Sequence, residues 1–268
     1  MTNTETIKRI SQIMTIFSAS EGKIRPHFIL TGPSGSGKSH NIALLAEQAG
    51  LNFMEINAAQ LTKEGTSGNS LSKALTPLKN KGAKPTLCFV DEFDKLFISG
   101  NSNSQLAHET TNGVQNEFLK VLESPHTSVY DDYGKYVDVA VDKVLFVFAG
   151  AFNGEENINI DRLRDFGIKT EFLGRVGLAY GLNKLTLEEI KGILENSEIL
   201  KTYLKLFPKV KRTDVISSVM KVVEINYEKN TLGARLLTTL INKYFIEGGK
   251  LDEKESKTVS FQKTLTLQ

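Results

Sequence analysis

His27-Phe28-Ile29-Leu30-Thr31 runs straight into Gly32-Pro33-Ser34-Gly35-Ser36-Gly37-Lys38-Ser39, and then into His40-Asn41-Ile42-Ala43-Leu44-Leu45-Ala46-Glu47. The order is a short apolar run, a glycine-rich turn and a segment of helical period. A strand followed by G-x-x-x-x-G-K-[ST] and a helix is the context that a phosphate-binding loop requires. Gly35 and Gly37 let the backbone wrap a polyphosphate with its N–H groups turned inward, and the positive end of the following helix completes the cradle. Lys38 is placed to reach the β and γ phosphates, and the Ser39 hydroxyl to ligate Mg²⁺. The predicted nucleotide-binding residues are therefore Gly32, Pro33, Ser34, Gly35, Ser36, Gly37, Lys38, Ser39 and His40.

Working outward, Leu87-Cys88-Phe89-Val90-Asp91-Glu92 is an apolar strand that ends in two acids. Paired with the loop upstream, Asp91 is the second candidate to hold Mg²⁺, through its water shell, and Glu92 the candidate to polarise the water that attacks a γ phosphate. The runs at 52–57, 86–90 and 143–150 read as strands, and those at 69–80 and 112–123 as helices. Strands alternating with helices predict a doubly wound α/β sheet. After Leu185 the pattern becomes helical, opening with Thr186 as N-cap and Glu189 three residues on, and Gly248-Gly249 ends the last helix. The expected organisation is a large α/β domain at 1–184, a small helical domain at 185–250 and a tail at 251–268. In the tail Val259, Phe261, Leu265 and Leu267 fit either an edge strand or a frayed end.

Composition agrees with this size and class. A chain of 268 residues accommodates one large and one small domain. Its 40% hydrophobic and 24% charged residues exclude disordered and fibrous classes. No stretch approaches the roughly 20 apolar residues that span a bilayer, and the segment at 7–17 is broken by Lys8, Arg9, Ser11 and Gln12. A cytoplasmic location with no membrane partner is the expectation. The single cysteine, Cys88, supplies neither an internal disulfide nor a zinc cluster, and His27, His40, His108 and His126 lack the spacing of a metal site. A net charge of +2 makes no strong case for a nucleic acid partner. The basic cluster Lys205, Lys209, Lys211 and Arg212 reads as a solvated loop between helices, with a contact to DNA or an acidic partner as the alternative. Tyr130, Tyr133 and Tyr136 read as a loop or hairpin before the next strand, and residues 99–104 as a loop.

Taken together, these residues resemble the AAA+ ATPases, and among them the ClpX-type unfoldase motor. Besides the two motifs above, Val144 to Phe152 looks like the strand that carries sensor 1 in that family. Asn153 is the nearest polar candidate for that role, although 150–153 reads equally well as the turn ending a buried strand. Glu171-Phe172-Leu173-Gly174-Arg175 looks like the arginine-finger segment, and Gly233-Ala234-Arg235 like sensor 2. The resemblance implies a P-loop NTPase of the AAA+ type, with the sheet followed by a helical lid. It implies ATP and Mg²⁺ as cofactors, Lys38, Glu92 and Arg175 as catalytic residues, and a hexameric homo-oligomer. Arg175 would reach a neighbour's nucleotide, and Arg235 the γ phosphate of its own subunit.

The same comparison exposes departures. Where the family carries a Gly-Tyr-Val-Gly pore loop, this chain has Gly65-Thr66-Ser67-Gly68, and two small hydroxyl side chains grip a polypeptide poorly. A second pore-loop candidate, at 99–111, includes His108. The cysteine zinc domain and the protease-docking insertion between Phe152 and Arg175 are both missing from the pattern, which argues against a ClpP-type peptidase partner. The leading expectation is a ring that remodels a protein or other macromolecule. Its rivals are a DNA-associated loader or matchmaker and an ATP-switched assembly scaffold.

Overall fold

A computed structural model of the chain describes residues 2–65, 68–81, 84–97, 105–130, 134–229, 232–249 and 251, with backbone only at 105–111 and 229. The chain divides into two units, Met1–Lys184 and Leu185–Gln268. The first runs α1 (Asn3–Ala19), β1 (Phe28–Thr31), α2 (Lys38–Gln48), β2 (Asn52–Asn57), α3 (Leu71–Ala74), β3 (Thr86–Asp91) and α4 (Gln105–Glu123). It continues through β4 (His126–Tyr130), β5 (Tyr136–Ala140), β6 (Val144–Gly150), α5 (Ile160–Asp165), α6 (Thr170–Val176) and β7 (Leu178–Gly181). Five parallel strands form the sheet in the order β2-β3-β6-β1-β7, while β4 and β5 make a separate antiparallel hairpin.

Every residue of β1 and β6 is buried, as are the first five of β3. Apolar side chains at successive positions are what a strand covered on both faces demands. The pleat sends Phe28, Leu30, Phe89, Leu145 and Val147 to one face, where Ile10, Met14 and Phe17 of α1 and Ile42 of α2 cover them. It sends Ile29, Cys88, Val90, Phe146 and Phe148 to the other, against Phe118, Leu163 and Phe172. Helices on both faces make the sheet doubly wound, as the alternation in the sequence predicts. Cys88 is fully buried in the middle of β3, and that burial pushes its thiol well above the usual range.

His27, just before β1, is buried, and its Nδ1 accepts the Phe146 N–H at 3.0 Å. Only a neutral ring can accept there. Burial, with a smaller contribution from the Arg25 charge, lowers its pKa from 6.5 to about 4. Above pH 6.5 the ring is neutral in folded and unfolded chains alike, so it adds no pH dependence. Between pH 6.5 and 4 the unfolded chain takes up a proton that the folded one refuses, and stability falls by about 3 kcal/mol in all. Urea midpoints at pH 7 and 4.5 check this: the acid loss should be clearly smaller in His27→Asn, whose side chain does not titrate.

The second unit contains α7 (Leu187–Asn196), α8 (Glu198–Leu206), α9 (Arg212–Asn226) and α10 (Arg235–Ile246). Its own core joins Ile190, Leu194, Leu200, Val215, Val219 and Ile241. A capping box starts α7: the Thr186 N–H donates to Glu189 Oε2 at 2.7 Å, and the Glu189 N–H donates to Thr186 Oγ1 at 3.2 Å. Such a box is worth about 1 kcal/mol. Beyond α10 the Gly249 N–H closes back on the Tyr244 carbonyl at 2.7 Å.

Several elements differ from the reading of the sequence: α4 begins at Gln105 rather than 112, so the 105–111 part of the second pore-loop candidate is helical. The helical period at 69–80 breaks after Ala74 into a 3₁₀ turn at Thr76–Asn80, because Pro77 offers no N–H and restricts the residue before it. Helix α1 and the edge strand β7 were not anticipated. The tyrosine segment is a hairpin in which Tyr130 pairs with Tyr136, and the Tyr136 hydroxyl donates to Glu64 Oε1 at 2.6 Å. Thr66, Ser67, residues 99–104, Tyr133 and the tail beyond Leu251 lie outside the described residues.

Candidate active site

In a parallel sheet every carboxyl end emerges at the same edge, and ligands bind there. Because β6 lies between β3 and β1, the turn after β6 is flanked by the glycine-rich loop on one side and Asp91-Glu92 on the other. The loop needs its glycines for space as well as for conformation. Gly32 has φ +146°, and a Cβ there would collide with the Leu182 carbonyl oxygen. Gly37, at φ +87°, turns the chain into α2, whose first turn carries no acid and no side-chain cap. Uncapped N–H groups at a helix start favour an anion.

Lys38 is only 9% exposed, and its ammonium donates to the carbonyls of Gly32 at 2.6 Å and Pro33 at 3.0 Å, lying across the mouth of the loop. The Ser36 hydroxyl is buried with no protein partner. A buried donor of that kind, beside an ammonium and a row of N–H groups, fits a polyphosphate. Ser34 and His40 are exposed, and Pro33 is partly so.

Ser39 Oγ stands 3.4 Å from Asp91 Oδ2, bringing together the two residues predicted to hold a metal. One hydroxyl and one carboxylate is an oxygen donor set that suits Mg²⁺, which takes few protein ligands and completes its shell with water and phosphate. Among the described residues no group of three or more His, Cys, Asp or Glu forms an all-protein metal cage. The neighbouring Glu55 of β2 has its pKa raised, first by burial and then by the Asp91 charge.

Glu92 is exposed and adopts φ +54°, ψ +30°, with its N–H donated to Asp91 Oδ1 at 2.8 Å. A left-handed non-glycine residue is costly and clusters at functional sites. Phe152 and Asn153, just past β6, also have positive φ, at +45° and +58°. Asn153 is exposed, whereas Phe152 is fully buried. Asp94 was missed in the sequence. It is 1% exposed, and its Oδ2 accepts the Phe152 N–H at 3.2 Å. The signal available was an acid set among Phe93, Leu96 and Phe97.

Arg175 occupies the last turn of α6 and pairs with Glu123 at 2.8 Å, the two side chains being 56% and 47% exposed. An ion pair that open is worth about 0–1 kcal/mol, so the guanidinium is cheaply released. Arg235 is the first residue of α10 in the helical unit and is exposed.

Residues 28–165 match the family model described as the ATPase family associated with various cellular activities (AAA). The chain is 28% identical over 267 residues to the ATP-dependent Clp protease ATP-binding subunit ClpX of Porphyromonas gingivalis, covering 81% of this chain and 64% of that protein. It is 25% identical over 271 residues to the same-named protein of Treponema denticola (83% and 65%), and 26% identical over 263 residues to that of Bacteroides thetaiotaomicron (81% and 63%). The chain thus spans a little under two thirds of the length of these relatives. With the match covering β1 to α5 and both acid and phosphate motifs inside it, the chain belongs to the AAA family of ATPases.

Proposed function

We propose that this chain hydrolyses ATP with Mg²⁺ as a homo-oligomer, a hexamer, and spends the cycle on remodelling a protein partner. The observation that carries the reading is the convergence, at one sheet edge, of the Gly32–Gly37 cradle, the Ser39–Asp91 pair and the strained Glu92. Bound Mg²⁺ would neutralise charge on the terminal phosphates. Lys38 swings from the loop carbonyls to the β and γ phosphates, a short movement for a long flexible stem. Loop N–H groups and the start of α2 hold the remaining oxygens. Glu92, beyond the strand end, orients and deprotonates the attacking water, and Asn153 contacts the γ phosphate from the next turn.

Arg175 acts on the neighbouring subunit's nucleotide, and Arg235 on that of its own, so that hydrolysis depends on assembly and reports to the helical unit. Similarity to proteins named as ATP-binding subunits of a Clp protease supports a protein as the partner. The missing protease-docking insertion between Phe152 and Arg175 argues against a ClpP-type peptidase, and nucleic acid is the alternative partner. The test is Arg175→Ala: turnover should fall at least about 100-fold with ATP affinity preserved, in line with the arginine's transition-state role. Near-normal turnover would remove the intersubunit site, since losing the exposed Glu123 pair costs too little to disturb the fold.

A further inference from the structure

We propose that Asp94 is a positioning residue for hydrolysis, a strut that fixes the turn bearing Glu92 against the turn bearing Asn153. The inference rests on the ATPase reading above. Asp94 belongs to the 3₁₀ turn Phe93–Leu96, which starts directly after Glu92 and closes with the Lys95 N–H on the Glu92 carbonyl at 3.0 Å. Phe93 pins that turn from beneath, fully buried between Phe148 at 4.8 Å and Phe172 at 5.3 Å. Across the gap, Phe152 is held twice: its ring packs on Phe166 at 5.3 Å, and its N–H bonds Asp94 Oδ2 at 3.2 Å.

The conformation of the second turn shows why a strut is needed. Two consecutive non-glycine residues, Phe152 and Asn153, have positive φ, a conformation that a chain leaves unless its surroundings hold it there. The Asp94 carboxylate accepts the N–H of the first of them, and that N–H lies one residue from the Asn153 side chain. Beyond that bond the carboxylate has one distant cationic neighbour and one unpartnered oxygen. Its Oδ2 is 3.6 Å from Lys95 Nζ, while Oδ1 is buried with no hydrogen-bond partner and 2.7 Å from where a Cβ on Gly150 would stand. Gly150 thus clears the room that the carboxylate occupies. The cradle and Lys38, which make most of the phosphate contacts, belong to a different turn, so the strut acts chiefly on the geometry of Glu92 and Asn153 and only slightly on nucleotide capture.

The experiment compares wild type, Asp94→Ala, Asp94→Asn and Gly150→Ala for affinity toward a fluorescent ATP analogue, kcat, KM and thermal midpoint, with Glu92→Gln in parallel. Asp94→Ala should keep affinity and KM within about threefold while kcat falls at least about 30-fold. Asp94→Asn keeps an acceptor of the same shape and should recover at least a third of wild-type kcat. Gly150→Ala, which crowds the carboxylate without removing it, should lower kcat with affinity preserved and keeps the proposal testable if Asp94→Ala does not fold. A kcat within threefold of wild type in both Asp94→Ala and Gly150→Ala overturns the proposal. So does a parallel loss of affinity, KM and thermal midpoint in all three, which marks a purely structural carboxylate. If wild type shows no turnover, or Glu92→Gln leaves turnover unchanged, the ATPase reading itself fails and the strut falls with it.

Discussion

Glu92→Gln should bind ATP as tightly as wild type and hydrolyse it at least 100-fold more slowly. The amide keeps the shape of the carboxylate and loses its basicity, and a positioned general base contributes about 10²–10⁴ in rate. Nothing in the fold should change, because Glu92 is exposed and its described anchor is its backbone N–H on Asp91, which the substitution leaves intact. Single-turnover hydrolysis beside equilibrium binding of a fluorescent ATP analogue separates the two steps. Turnover within tenfold of wild type would assign the base elsewhere. Held in its ATP state, this variant is also the right bait for a partner: a specific protein retained only with ATP supports remodelling, and retained DNA supports a loader.

Lys38→Ala should show the opposite signature, losing binding and turnover together. The ammonium makes charge-assisted bonds that are each worth about 1.5–3 kcal/mol, so its removal should weaken ATP at least about 100-fold. Alanine is the best helix former and Lys38 is the first residue of α2, so the helix itself is not at risk. Arginine should not rescue, since a planar fork does not reproduce the compact point charge of Lys38, which is 9% exposed and bonded to two loop carbonyls. Binding within threefold of wild type in Lys38→Ala would show that the loop does not hold the phosphates.

Much of the α/β unit was legible because double burial writes itself into the chain. β1, β3 and β6 are apolar at successive positions, and the loop and acids are contiguous motifs at their ends. The edge strand β7 left no such trace, since Leu178-Ala179-Tyr180-Gly181 is covered only partly and pairs on one side. Helix α1 did leave one: Ile10, Ile13, Met14 and Phe17 recur at helical spacing and are all buried, although polar residues at 11, 12 and 15 and the Lys8-Arg9 pair before them blur the apolar stripe. Within the site, motif residues were found and their partners were not. The Phe152 N–H that meets Asp94 and the Glu123 that meets Arg175 lie more than 50 positions away, and separations of that length become neighbours only through the strand order.

The lone cysteine also gives the molecule a built-in clock. Cys88 sits in the central part of β3 with its side chain buried on the sheet face that Phe118, Leu163 and Phe172 cover, so a thiol reagent reaches its sulfur only when that packing opens. Where closing is fast, the labelling rate is the opening equilibrium multiplied by the intrinsic rate of a free thiolate. That rate reads the opening of the α/β unit alone, because the helical unit has no cysteine. Any ligand that binds the closed sheet slows the clock by the factor that links occupancy to stability. Nucleotide affinity is therefore measurable on the unlabelled, unmutated chain, with time as the only signal.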